Sequence, residues 1–327
     1  MESTPFDLRQ TARPIGRLAP SPTGAQHVGN ARTYLLAWWS IRSRGGRLIL
    51  RIEDIDSPRV KTGAAQQAID DLRWLGLDWD EGPDIGGPNA SYVQTERVDL
   101  YRDALAQLQR DERVYPCTCT RSDIEAAASA PHVEHEGSLY PGTCAGRSVR
   151  DVNSICDQPF AWRFRSNDRD LDFADRVAGL QRANVRRDLG DFVIGKMDGL
   201  PAYQLAVVCD DHAMGVTEVL RGDDLLPSTF RQLELYAAFG WSPPTFAHVP
   251  LVIGPDGRRL AKRHGDTRLA TLRQQGVTAE ELVGLLAWSC GLRPTREPVG
   301  AKALIADFDL CRVPRQPFVF SVGQVNF

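Results

Sequence analysis

"PSPTGAQHVGNAR", residues 20–32, is the stretch on which the reading of the fold turns. Just before it, "IGRLAPSP" reads as a short strand ended by prolines. Just after it, "ARTYLLAWWSIRSR" carries Leu35, Trp38 and Ile41 at helical spacing and is closed by Gly45 and Gly46. A strand, a glycine-bearing turn and a helix open an α/β unit. Ligands of open parallel sheets bind beyond the carboxyl ends of the strands, which is where residues 20–32 fall. Gly24 and Gly29 admit backbone close to a ligand. A helix starting near Gly29 would aim free N–H groups and its positive dipole end at an anion, most naturally phosphate, with His27 beside it as a further donor. A proline-rich turn with a surface histidine is the plainer alternative for this stretch taken alone.

Working outward, "RLILRIEDID" is a second strand whose nearly continuous apolar run suits burial on both faces of a parallel sheet, with carboxylates at its C-terminal end. Helical patterns follow at 63–75 and 95–110, the second opened by Thr95 as N-cap. From about 111 to 190 the chain is loop-rich and bears cysteines. "HVEHEGSLYPGTC" and "CDQPFAWRFRSNDRDLDF" read as turns and short antiparallel strands, which suggests an insertion into the α/β domain. Regular structure returns with "PAYQLAVVCDD", "VTEVLRGDD", the helix "STFRQLELYAAFG" and the strand "AHVPLVIG". After the loop "GPDGRRLAKRHGD", the helix "TAEELVGLLAWSCG" opens with a capping box of Thr278 and Glu281.

Composition excludes whole classes. With 42% hydrophobic and 25% charged residues the chain is neither disordered nor fibrous. No run approaches a membrane span and "MESTPFDLRQTARP" lacks the layout of a secretion signal, so a cytoplasmic protein without membrane contact is expected, acting as a monomer. A formal charge of −3 means that any nucleic acid must be held by a local basic face, for which Arg182, Arg186 and Arg187 are candidates. Seven unevenly spaced cysteines argue against a disulfide framework. Cys209 and Cys290 sit in apolar runs and read as plain buried thiols. Cys117, Cys119 and Cys144 cluster, one ligand short of a closed tetrahedral zinc site, and on chemistry alone His132 or His135 would complete it.

The loop "GRRLAKRHG" packs Arg258, Arg259, Lys262, Arg263 and His264 around a glycine turn, donors that suit a triphosphate. Only four of the 39 basic residues are lysines, so Lys262 points to a need for a compact ammonium rather than a planar fork. Together the two loops describe an ATP site, with Mg2+ accompanying the nucleotide.

"PSPTGAQHVGN" resembles the first signature of the class I aminoacyl-tRNA synthetases, usually written HIGH, and "RLAKR" resembles the second, KMSKS. "RIEDIDSPR", "LGLDWDEGP", "YPCTCTR", "GVTEVLRGDDLL" and the words around "FAHVPLVIG" are similar to the glutamyl branch, from about residue 14 to about 270. The resemblance implies an α/β, Rossmann-type catalytic domain. Its first half spans 14–110, a zinc-bearing insertion 111–190, its second half 191–256, and a KMSKS-like loop with a short helical region 257–327. It also implies that Arg17, Ser21, Glu53, Tyr203 and Arg221 surround glutamate, and that His27, Gly29, Asn30 and Lys262 serve ATP, with His27 and Lys262 as the catalytic pair. Cys117, Cys119 and Cys144 would bind zinc with Tyr140 as fourth ligand, ahead of the two histidines. Asn30, Arg259 and Ala261 depart from the usual signatures.

Little chain follows Arg263, too little to build the anticodon reader of a full glutamyl enzyme. The expected member of the branch is therefore the short form, which activates glutamate without tRNA and transfers it to queuosine at the wobble position of tRNA(Asp), binding the anticodon stem-loop. The alternatives are a truncated or discriminating enzyme charging tRNA(Glu), and a non-catalytic relative that binds nucleotide or tRNA.

Overall fold

The computed structural model describes residues 13–55, 60–127, 139–155, 158–260 and 266–324. In chain order its elements are β1 (Ile15–Leu18), α1 (Val28–Arg42), β2 (Arg47–Leu50), α2 (Ala64–Trp74), α3 (Val98–Arg110), β3 (Val114–Cys117) and α4 (Arg121–Ala127). There follow β4 (Ala161–Phe164), β5 (Asp170–Asp175), β6 (Gly179–Asn184), β7 (Phe192–Gly195), α5 (Tyr203–Ala213) and β8 (Glu218–Gly222). The chain continues through α6 (Leu226–Phe239), β9 (Thr245–Val249), β10 (Val252–Ile253), α7 (Leu269–Gln274), α8 (Ala279–Ser289) and β11 (Phe318–Val319).

β1 pairs in parallel with β2, Ile15 opposite Arg47, and β8 in parallel with β9, Glu218 opposite Thr245. The two pairs meet at β1 and β8, where Thr217 N donates to Ile15 O (2.8 Å) and Ile15 N to Thr217 Oγ1 (2.9 Å). The order β2-β1-β8-β9 follows. One connection winds outward from β1 through α1 to β2 and the other from β8 through α6 to β9, so the crevice between β1 and β8 is a topological switch point. Alternation along the strands explains why both faces are covered. Leu48, Leu50, Leu220, Ala247 and Val249 join one core with α1 and α8, whereas Ile49, Val219 and Phe246 pack on the other side with Tyr92, Met214 and Val216.

The segment after α3 forms an antiparallel sheet in the order β3-β4-β7, with β5 and β6 as a separate hairpin. β7 lies beyond residue 190, so this sheet runs past the boundary read from the sequence. Phe164, Phe192 and Ile194 share a core with Tyr101, Leu108, Leu205, Phe230 and Leu235 of α3, α5 and α6. The C-terminal region contains helices α7 and α8, and then turns back. β11 pairs in parallel with β10, and Trp39 Nε1 donates to Ala301 O at 2.9 Å. The Thr278–Glu281 capping box is present. Thr95, expected as an N-cap, is not one. α3 begins at Val98, and Thr95 gives its N–H and hydroxyl to the Asp54 carboxylate instead (2.8 and 2.7 Å). Among the described residues no helix is long and apolar enough to cross a membrane.

Candidate active site

His27 is the N-cap of α1. Its Nδ1 accepts from Gly29 N (3.0 Å) and Asn30 N (3.3 Å), and Asn30 Oδ1 accepts from His27 N (3.1 Å). This is a capping box in which an imidazole replaces the usual hydroxyl. Val28 N is also taken, by Thr267 O at 3.0 Å. The expectation of free N–H groups at this helix end is therefore corrected, because the first turn is already satisfied. What the turn offers an anion is the imidazole. With Nδ1 accepting, the neutral ring carries its proton on Nε2, directed away from the helix. Burial, and then the Arg259 charge, lowers the pKa of His27, favouring that neutral donor. Gly29 is small for a reason other than ligand approach: a Cβ there would lie 2.9 Å from the His27 ring. Asn30, a departure from the family signature, is the reciprocal half of the cap.

The second loop is tied to the same place. Leu269 N donates to Gln26 O (2.9 Å), and Arg259 pairs with Asp224 in the short turn just before α6. Lys262, Arg263, His264 and Ala261 lie outside the described residues, as do His132 and His135.

Arg17 near the end of β1 and Arg221 near the end of β8 flank the crevice from neighbouring strands, both buried. Arg17 Nη1 reaches Leu220 O (3.4 Å) and its Nε lies 3.6 Å from Asp211. Arg221 donates through Nη2 to Thr229 Oγ1 and Gln232 Oε1, both at 2.8 Å, and its Nη1 has no hydrogen-bond acceptor among the described residues. Glu53, just past β2, is held by Arg51 at 2.9 Å. Burial raises the Glu53 pKa against the opposing charges of Arg51 and Arg17. Tyr203 opens α5, half-buried, and lies close enough to Glu53, Arg221 and Arg17 to feel all three charges, its hydroxyl pushed up first by desolvation. Ser21 is exposed in the turn after β1. Two guanidinium groups, a carboxylate and a phenol thus converge at one strand switch. That donor set matches a zwitterion with an extra carboxylate.

Several members of this cluster were not read from the sequence. Arg51 is fully buried between Glu53, Asp210 and Asp211, and Tyr34 lies close enough to Glu53 and Arg17 to feel both. The signal was present in "LAVVCDD": a pair of acids inside an apolar helical run demands buried cations.

Cys117, Cys119 and Cys144 bring their sulfurs within 4.8 Å of one another, with Cys119 and Cys144 3.7 Å apart. A tetrahedral zinc with Zn–S of about 2.3 Å places its sulfurs about 3.8 Å apart, so the thiols have the right spacing. The Tyr140 hydroxyl stands 3.4 Å from Cys117 Sγ and accepts the Cys144 N–H at 2.8 Å, where a fourth ligand belongs. Burial alone would raise the Cys144 thiol, but the Thr118 N–H and the neighbouring thiols and phenol bring it down to about 7. These residues fit a zinc ion. Cys209 and Cys290 are isolated buried thiols, as expected. Of the candidate RNA-facing arginines, Arg182 is paired with Asp172 and Arg187 with Asp188, while Arg186 has no ion-pair partner among the described residues.

Residues 15–321 match the family model of the class I tRNA synthetases (E and Q), catalytic domain. The glutamyl-Q tRNA(Asp) synthetase of Symbiobacterium thermophilum is 54% identical over 305 residues, covering 92% of this chain and 94% of the relative. That of Rhodopirellula baltica is 55% identical over 325 residues, covering 93% and 96%. Among solved structures, a glutamate tRNA ligase from Elizabethkingia meningosepticum in complex with its amino acid superposes with a TM-score of 0.82 at 31% identity. The match covers 96% of this chain and 68% of that one.

Proposed function

The chain belongs to the class I tRNA synthetases of the E and Q group, and from that premise we propose that it activates L-glutamate with ATP in the absence of tRNA and transfers it to queuosine at the wobble position of tRNA(Asp). The observation that carries this reading is reciprocal overlap: the glutamyl-Q relatives are matched over 94% and 96% of their own lengths at more than half identity. In activation a glutamate carboxylate attacks the α-phosphorus of ATP, an acyl-adenylate forms and pyrophosphate leaves. Arg221 and Arg17 pair with the carboxylates of glutamate, Glu53 and Tyr203 receive its ammonium, and Ser21 closes the turn over it. His27 Nε2–H donates a hydrogen bond to the phosphates and Lys262 neutralises their charge as pyrophosphate departs, alongside Mg2+. Gly29 and Asn30 support this indirectly, through the orientation of His27. Zinc on Cys117, Cys119, Cys144 and Tyr140 supplies a structural tie when bound. The enzyme acts as a cytoplasmic monomer on the anticodon stem-loop.

The likeness to the Elizabethkingia ligase favours a second reading, in which tRNA(Glu) is charged at its 3′ end. Two measurements separate them. Glutamate-dependent ATP–pyrophosphate exchange should proceed without tRNA, and a queuosine-bearing anticodon stem-loop lacking any acceptor arm should accept labelled glutamate, whereas the same RNA with guanine at the wobble position should not. Stem-loop contacts of this kind read a splayed single-stranded base. Charging of tRNA(Glu) with no label on the stem-loop would decide for the second reading.

A further inference from the structure

Behind Arg221 runs a buried hydrogen-bonded chain that reaches into the β5–β6 hairpin. Arg221 Nε donates to His248 Nε2 at 3.1 Å, and His248 Nδ1 meets Asp175 Oδ2 at 2.6 Å. All three side chains are buried. The other Asp175 oxygen accepts three backbone N–H groups, from Val177 (2.9 Å), Ala178 (2.8 Å) and His248 (3.1 Å). The Thr229 hydroxyl also lies 3.0 Å from His248 Nε2, where the tautomer sets which of the two donates. An arginine Nε can only donate, so His248 Nε2 must accept; the ring proton therefore sits on Nδ1 and is given to the Asp175 carboxylate. The same guanidinium is gripped on Nη2 by Thr229 and Gln232, which leaves Nη1 buried and without an acceptor among the described residues.

We propose that Asp175 and His248 are positioning residues, which hold the Arg221 guanidinium with its Nη1 edge turned to receive a substrate carboxylate. Asp175 selects the histidine tautomer, the tautomer supplies the acceptor, and the acceptor fixes the arginine. The proposal rests on the reading that Arg221 binds glutamate. It also gives the β5–β6 hairpin a function beyond packing, because its last β5 residue reaches the site through β9.

Asp175→Asn is the discriminating variant. Three N–H donors oblige its amide oxygen to stay where Oδ1 was, so the NH2 group lands opposite His248 Nδ1. The ring must then switch to the Nε2–H tautomer and present a donor to the Arg221 Nε–H, an effect of the kind seen when a histidine's carboxylate partner is amidated. The glutamate KM in ATP–pyrophosphate exchange should rise by about tenfold or more, with the ATP KM within about twofold of the original, since a charge-assisted contact is lost and the nucleotide site is untouched. His248→Gln alone keeps an acceptor for Arg221 and should stay within about threefold. There the glutamine NH2 donates to Asp175 while its oxygen accepts from Arg221, the same polarity as the Nδ1–H imidazole.

An unchanged glutamate KM in Asp175→Asn, or a His248→Gln defect as large as that of Asp175→Asn, would overturn the proposal. A lowered active fraction with KM unaltered would do the same, as it marks a merely structural role. Nitrogen NMR of the histidines reads the tautomer directly and needs no activity. His248 protonated on Nδ1 is required, and Nε2 protonation in the unaltered protein would refute the geometry. Absence of glutamate-dependent exchange in the unaltered protein would instead overturn the functional reading, while the tautomer measurement still decides this one.

Discussion

Replacing Arg51 with methionine tests what one buried cation does for this site. Its guanidinium lies 2.9 Å from Glu53, 2.8 Å from Asp211 and 3.6 Å from Asp210. Methionine fills much of the volume and leaves the carboxylates behind. Asp210 keeps Arg97 at 2.7 Å and the Tyr101 hydroxyl at 2.9 Å, so the loss falls on Glu53 and Asp211, which retain the more distant Arg17 and Arg221. Removing one partner from a buried ion pair costs about 3–5 kcal/mol. At an unfolding entropy of about 2.1 cal/mol/K per residue, that lowers Tm by roughly 4–7 °C. The pH dependence gives a sharper test. Burial already raises the Glu53 pKa, and loss of Arg51 raises it further. A carboxyl whose folded pKa exceeds its unfolded one favours the folded state below the unfolded pKa, and that contribution is lost as pH rises through the folded pKa. The deficit of Arg51→Met should therefore be full near neutrality and shrink as pH falls into the carboxyl range. Urea unfolding of both proteins at about pH 7.5 and about pH 5 measures it. A deficit below about 1 kcal/mol, or one that is constant or grows toward acid, would refute the reasoning.

Purified protein should carry about one zinc per chain, lost in Cys144→Ser and kept in Cys209→Ser, as metal analysis will show. Lys262→Ala should lower glutamate activation far more than glutamate binding, because its charge acts as pyrophosphate departs; equal losses in exchange rate and in calorimetric affinity would count against that role. Gly29→Ala should push the His27 ring out of its cap, with a loss of about 1 kcal/mol in stability and slower adenylate formation, and unchanged unfolding curves would show that the ring is not held there.

The sequence was most informative where local rules dominate. A strand, a glycine turn and a helix at 15–42 announced themselves through periodicity, and the Thr278–Glu281 box forms because its two side chains satisfy each other within one turn. Thr95 failed for the opposite reason. The local rule was met, but Asp54, distant in sequence, competes for the same hydroxyl and N–H. His27 exposes a different gap. The motif pointed to an anion site and the structure does put a donor there, yet no sequence rule says that an imidazole will consume the helix N–H groups and offer its other nitrogen in their place. Long-range charge placement was the least legible. Arg51, Asp210, Asp211, Asp175 and His248 acquire meaning only once β1, β8, β9 and the hairpin are side by side.

That juxtaposition also changes how the 111–190 segment relates to the α/β core. Its two ends do different physical work. At the cysteine end, Tyr115, Cys117, Tyr140 and Cys144 make a small separate cluster in which the thiols, and zinc when bound, hold neighbouring turns together. At the hairpin end, Asp175 is bonded to His248, Arg176 pairs with Glu218 and Arg176 N donates to Phe246 O at 2.9 Å, so the hairpin tip belongs to the central sheet. Asn167 Nδ2, at 2.6 Å from the buried Glu234 carboxylate, anchors the chain between them to α6. Loss of the zinc proposed for this cluster would thus be a local event, with few partners in the main cores, and the crevice at the strand switch should outlast it. The loss of a single oxygen at Asp175 is the reverse case: it leaves the core volume intact and still reaches the arginine at the switch point, because the Arg221 Nε–H needs an acceptor that only the Nδ1–H tautomer of His248 presents.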